Sequence, residues 1–346
     1  MRQRNRASHI KMLLGLGVLI AALSGCGSRE AVTATGAEET ASPANAAAGS
    51  VNILLRGDSA KIEGRGAEVE KGVLVIHEGG TYRLTGESRL PIEVRAANVS
   101  VTLYLENVKL HTRGNSAIRA VQRGDLTLIF AGEEENSIET DGREKKDGSA
   151  ADPKGVDAAI FSKGNLTLRG SGSANIKAAN RGIVAKGELI VADGIFDLRT
   201  EDDIFCGKES VTLQGGAVRA SAQGDKGKGV SSDGAVILSG GSYVFAHTSE
   251  GIEGKTIEMS GGSFDISADD DGMNAREHYD KEETKTKKKE ANPEVWIRIA
   301  GGELYVTAGG DGLDSNGDLI FSGGTSYING SDTGKDAALD WNGSCR

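Results

Sequence analysis

A repeat constrains this chain more than any other feature. From about residue 155 a short alternating strand followed by a glycine pair recurs, loosely in the first two cases: "NLTLRGSG" from Asn165, "ELIVADG" from Glu188, "SVTLQGG" from Ser210, "AVILSGG" from Ala235, "TIEMSGG" from Thr256, "WIRIAGG" from Trp296 and "DLIFSGG" from Asp318. Each unit also carries a turn in which a small or charged residue precedes an aliphatic anchor. The anchors are Ile160, Ile183, Ile204, Val230, Ile252, Met273, Leu313 and Leu339, spaced by 23, 21, 26, 22, 21, 40 and 26 residues. The long interval holds the insertion "REHYDKEETKTKKKEANPE" after Ala275.

A period of about 22 excludes the nine-residue calcium β-roll and is short for a propeller blade. Leucine-rich repeats share it, but their Leu/Asn signature is absent. The expected fold is all-β, a single-stranded right-handed parallel β-helix with three short strands per coil, its hand taken from the crossover rule. Alternation supports inward columns. Leu166/Leu168, Leu189/Val191, Val211/Leu213, Val236/Leu238, Ile257/Met259, Ile297/Ile299 and Leu319/Phe321 share one parity, with Thr167, Ile190, Thr212, Ile237, Glu258, Arg298 and Ile320 facing out. After the glycine pair, Phe196/Leu198, Tyr243/Phe245, Phe264/Ile266, Leu304/Val306 and Ser326/Ile328 form a second inward set. Fifty glycines against four prolines suit many tight corners.

Residues 51–140 are strand-like and less regular, and are expected to form the first coils. "AGEEENSIETDGREKKDGSAADPKG" reads as an excursion between coils.

The N-terminus reads as an address. Arg2, Arg4, Arg6 and Lys11 precede the apolar run "MLLGLGVLIAAL", too short for a stable span, and "LSGC" follows. This is the pattern of a bacterial lipobox, which implies a signal peptide over 1–25, lipidation of Cys26 and export to a lipid-anchored position at the cell surface or outer membrane. Residues 26–50 then make a flexible tether. Removing residues 1–25 leaves 36 basic against 50 acidic residues, a net charge of −14. That disfavours nucleic acid and anionic lipid as direct partners, confines membrane contact to the anchor, and leaves a polyanion in need of bridging cations. Cys206 and Cys345 fall about five coils apart, roughly 24 Å by strand spacing, too far for a disulfide.

Stacking the corner turns gives the candidate site. Two residues before each anchor the column reads Ala158, Arg181, Asp202, Lys228, Glu250, Asp271, Asp311, Ala337; one residue after, Phe161, Val184, Phe205, Ser231, Glu253, Asn274, Asp314, Asp340. In the coils of Met273 and Leu313 both columns carry oxygen ligands. Asp271, Asn274, Asp311 and Asp314 are expected to converge, with Asp269, Asp270, Asp336 and Asp340 beside them. Stacked carboxylates repel and call for a counter-charge; six to eight oxygens suit Ca2+. Acidic Gly-Asp turns are also ordinary surface chemistry. The alternating column Arg181–Asp202–Lys228–Glu250 reads as a surface salt-bridge ladder. Tyr305, Tyr327 and Trp296 lie at outward parity and suit stacking on sugar faces. His77, His111, His247 and His278 form no visible triad.

The run "VLVIHEGGTYRLTG…ANVSVTLYLENVKLHTRGNSAIRA…DLTLIFAGEEENSIETD", with "DDGMNA", "GGDGLDSNG" and "DAALDWNG", resembles a family of bacterial secreted carbohydrate-binding domains over roughly residues 51–343. The resemblance implies a calcium-binding right-handed β-helix of pectate-lyase-like shape and a surface binder of cellulose or acidic sugar polymers such as polygalacturonate. The turn residues it carries over are Asp271, Asn274, Asp311, Asp314, Asp336 and Asp340. Members usually run on past "ALDWNG", whereas this chain stops at "SCR", so its last coil is expected to present an uncapped edge. Two other readings stay open. One is a polysaccharide lyase, with Arg276 or Lys281 as the base beside calcium. The other is an adhesive solenoid without ligand chemistry.

Overall fold

The computed structural model describes residues 49–114, 116–142, 158–277, 291–331 and 336–346. The leader, Cys26 and most of the tether lie outside them, as does Lys281. No helix among the described residues is long and apolar enough to cross a membrane.

The protein is all-β, and its strands gather into two sheets of 20 and 12. This corrects the expectation of a single-stranded right-handed β-helix. In the larger sheet, two ladders of parallel strands run side by side and are fused by one long strand, Ser100–Thr112. That strand pairs with Asp125–Ala131 along its first half and with Asn136–Thr140 along its second. Later repeats break at this point with a glycine pair, whose second member sits at φ between 81° and 86° in Gly216, Gly241, Gly262, Gly302 and Gly324; Asp193-Gly194 takes its place in one repeat, with Gly194 at φ 119°. "VTLYLENVKL" lacks the pair; Asn107 takes the left-handed conformation instead, at φ 55°, and the strand continues. The chain also does not begin as a uniform parallel stack. Val51–Gly57 pairs antiparallel with Ser59–Glu63, and Ala67–Glu70 with Val73–Ile76. Asn136–Thr140, expected in the excursion, is a strand with Asn136 fully buried.

Each later repeat adds two strands to the larger sheet and one to the smaller. The expected inward columns hold: Leu166, Leu189, Val211, Val236, Ile257, Ile297 and Leu319 are in register and buried. So are Phe196, Val218, Tyr243, Phe264 and Leu304 in the second ladder. Tyr243 and Phe264 stack with centroids 5.0 Å apart. Burying one such side chain per strand contributes about 1.5–3 kcal/mol, so the core is continuous along the stack. Phe321, Ser326 and Ile328, the last members of these columns, are only partly buried.

One anchor needs moving. Ile183 pairs with Phe205, and Phe205 with Val230. Ile204 is therefore out of register by one. Both Ile204 and Phe205 are fully buried, and two apolar residues in sequence hide the register. Asp203 replaces Asp202 in the first corner column, and Cys206 replaces Phe205 in the second. Cys206 and Cys345 are free thiols.

Candidate functional site

The smaller sheet sets the corner register. Met273 pairs with Leu313 and Leu313 with Leu339, which stacks Asn274, Asp314 and Asp340 on one line. Asp271 and Asp311 lie two residues upstream in their repeats. Asp271 Oδ1 accepts the backbone N–H of Asp311 at 2.8 Å. Asp311 Oδ1 accepts the N–H of Ala337 at 2.5 Å. Asp203 does the same for Lys228, at 3.0 Å. These carboxylates staple each repeat to the next.

Asp271 Oδ2 also accepts from Asn274 Nδ2, at 3.1 Å. The Asn274 Oδ1 that results is buried and has no hydrogen-bond partner among the described residues. Gly310 supplies the room for this arrangement: a Cβ there would stand 2.6 Å from Asp270 Oδ1 and 2.7 Å from Asp271 Oδ1. Burial pushes Asp271 up to about 6; Asp270, Asp311 and Asp336 add to the rise, against the Asp311 N–H. Burial likewise raises Asp311, opposed by the Ala337 N–H and reinforced by Asp340, Asp336 and Asp270. Asp270, Asp271, Asp311, Asp336 and Asp340 thus share one electrostatic neighbourhood. Asp269 is exposed. The set is not drawn tightly together. Among the described residues, three His, Asp or Glu ligand atoms within 4.8 Å of one another occur at Glu68, Glu70 and His77.

That trio was not visible in sequence. His77 Nε2 stands 3.1 Å from Glu68 and 3.0 Å from Glu70. A two-residue turn at Lys71 (φ 48°) and Gly72 (φ 77°) folds the strand carrying both glutamates back beside it. The signal is the Glu-x-Glu alternation before Lys-Gly.

Next to the acidic corner lies a buried ion cluster. Glu253, registered beside Asn274, is 1% exposed; it meets Lys228 Nζ at 2.7 Å and Arg276 at 2.5 Å. Lys228 also reaches Glu250, at 3.4 Å. Burial raises Glu250 to about 8, with Glu253 adding to the rise and Lys228 opposing it. The alternating column therefore does form ion pairs, but inside the corner rather than on the surface, with Glu253 of the neighbouring column at its centre. Arg276 is committed to Glu253.

The aromatics divide between ladders. Trp296 sits in the first ladder with the Arg298 guanidinium 4.9 Å from its ring centroid, so one face is covered. Tyr305 and Tyr327 are registered in the second ladder and stack on each other, centroids 5.1 Å apart and planes at 9°. Each hides one face of the other, and the pair offers its outer faces and edges, with Tyr327 60% and Tyr305 40% exposed.

Stacked parallel strands, an all-oxygen acidic corner and outward aromatics define an all-β repeat scaffold. A family model for carbohydrate-binding domain-containing proteins matches residues 70–337, and the chain belongs to that family. Comparison with curated proteins gives no significant match. Among solved structures, the polysaccharide lyase-like protein from C. thermocellum, in its gadolinium derivative, matches with a TM-score of 0.53 at 17% identity. The match covers 82% of this chain and 98% of that one, and the likeness is one of fold.

Proposed function

We propose that the protein is a lipid-anchored surface binder of polysaccharide, acidic or cellulosic, which holds Ca2+ at the Asp271/Asp311 corner. The observation that carries the calcium reading is Asn274 Oδ1, a buried amide oxygen without a donor beside Asp271. Such an atom costs about 1–3 kcal/mol unless something satisfies it. A hard cation fits the donor set, which is entirely oxygen. Asp270, Asp271, Asn274, Asp311, Asp314 and Asp340 are the residues that would hold it, with Asp336 adjacent. When bound, calcium supplies a positive charge that can bridge to uronate carboxylates. The chain's own carboxylates fix the corner by stapling successive repeats.

Membership of a carbohydrate-binding family supports the glycan half of the reading. Arg276 argues for binding over lyase chemistry, since its guanidinium stays protonated and is spent on buried Glu253. The anchor rests on the residues before Cys26, and Cys26→Ala is expected to move the protein from the membrane to the soluble fraction.

The test is polygalacturonate and cellulose pull-down in calcium and in chelator. Retention that drops in chelator supports the reading; equally weak retention in both would count against it. Incubation with pectate should leave the ultraviolet absorbance of an unsaturated product flat; a rise would restore the lyase.

A further inference from the structure

The corner that follows three successive strands of the smaller sheet carries a column of cations. Ser162, Ala185 and Gly207 are in register, so Lys163, Lys186 and Lys208 occupy the next position in three successive repeats. Their backbone N–H groups bond to Ala120, Ser162 and Ala185 at 2.9, 2.8 and 3.0 Å, which fixes the stacking. Asn165 pairs with Asp125, placing Arg123 at the head of the column. All four side chains are exposed. Arg83, Arg95, Arg119, Lys228, Lys255 and Arg276 each meet a carboxylate. Among the described residues none of these four does.

Arg123, Lys163 and Lys186 edge a cleft of about 230 Å³. Its floor is backbone, at Gly124, Gly164 and Gly187. A Cβ on Gly164 would stand 2.1 Å from the Gly124 carbonyl oxygen, and one on Gly187 2.3 Å from Asn165 Oδ1. Two acids also line it. Asp125 is bonded by Asn165 at 3.0 Å, and Glu209 is exposed at the far end. The cations outnumber them and recur once per repeat, about 4.8 Å apart. That spacing is comparable with one sugar unit of an extended chain.

We propose that the Arg123–Lys163–Lys186–Lys208 column is a second binding strip, which takes an anionic polysaccharide directly, carboxylate by carboxylate, without calcium. The inference rests on the carbohydrate-binding reading and names its ligand class. It also amends the expectation from net charge. The chain as a whole is acidic, but a row of cations without ion pairs among the described residues, at strand spacing, concentrates positive potential locally. The acidic corner lies in later repeats, at the start of the smaller-sheet strands rather than after them. One glycan chain can therefore meet calcium at one place and ammonium groups at another.

The experiment measures binding of the full chain to oligogalacturonate and to a neutral cello-oligosaccharide, in chelator, at low and high salt. Wild type is expected to bind the uronate at low salt and lose it at high salt. K163Q/K186Q should weaken uronate binding about tenfold, or ~1.4 kcal/mol, and leave the neutral ligand unaffected. K163R/K186R should retain binding, and Lys226→Gln, an exposed control, should not alter it. Uronate binding unchanged in K163Q/K186Q, or confined to calcium, overturns this inference alone. Polyphosphate competing as well as the uronate overturns the assignment to a glycan. No binding of either sugar by wild type, with or without calcium, sinks the carbohydrate reading itself.

Discussion

Asp271 accepts the backbone N–H of Asp311 across 40 residues of sequence, at 2.8 Å. The insertion between them does not disturb the register, because Met273 and Leu313 still pair. A carboxylate that holds the next repeat's backbone is structural before it is anything else. Asp271→Ala leaves that N–H and Asn274 Nδ2 without an acceptor and should cost about 1–3 kcal/mol, read from urea unfolding. Asp271→Asn should recover part of the loss, since its carbonyl oxygen can still accept.

Gly310→Ala separates packing from charge. The added Cβ meets Asp270 and Asp271 Oδ1 at 2.6 and 2.7 Å, forcing the carboxylates apart. A loss of about 1–3 kcal/mol is expected from overpacking. Calcium should raise the melting temperature of wild type and not of this variant.

Glu253 lies between Lys228 and Arg276 and is buried, with Glu250 also reaching Lys228. Glu253→Ala removes the buried partner of Arg276, leaves Lys228 with Glu250, and should destabilise by about 3–5 kcal/mol. If equilibrium unfolding shows less than about 1 kcal/mol, solvent already screens the cluster.

Asp203 sets a pH dependence away from the acidic corner. Burial raises it from 3.8 to about 6, against the opposing Lys228 N–H. A raised acid contributes stability that is complete below its unfolded value and is lost as pH rises through the folded one. Asp203→Asn should therefore be more stable than wild type at pH 7.5, by up to about 3 kcal/mol, and close to it at pH 4. Thermal melts of both proteins across this range check the sign.

Tyr327 is the more exposed half of the stacked pair. If the outer ring face meets sugar, Tyr327→Ala should weaken glycan retention by about 1 kcal/mol, and Tyr305→Ala by less. Affinity electrophoresis in cellulose or pectate gels compares the two.

Much of the core was legible residue by residue. Leu189 and Val191 announce their inward faces through alternation, and the Gly-Gly pairs announce the corners. The register at Ile204 was not legible, because Phe205 beside it is equally apolar and only strand pairing chooses between them. The centre of the ion cluster was not legible either. Lys228, Glu253 and Arg276 come from three repeats and two columns, and a linear alternation of sign pointed to Glu250. The acidic set was found, yet its first role, as a staple to backbone N–H groups, belongs to no residue pattern. Trp296 and the tyrosines share a parity but occupy different ladders, so parity alone could not tell that Tyr305 and Tyr327 stack on each other while Trp296 meets Arg298.

By itself the sequence determined the repeat, the inward columns and the acidic corner, because period and alternation are local properties that any strand obeys. Tertiary structure decided how the strands gather into two sheets, since the long strand Ser100–Thr112 and the antiparallel start depend on which edges meet. It also decided which charges neutralise each other. Glu253 is matched by cations above and below it, while among the described residues Lys163 and Lys186 stack without an ion pair. Pairing depends on distances across repeats, and those exist only once the chain has stacked.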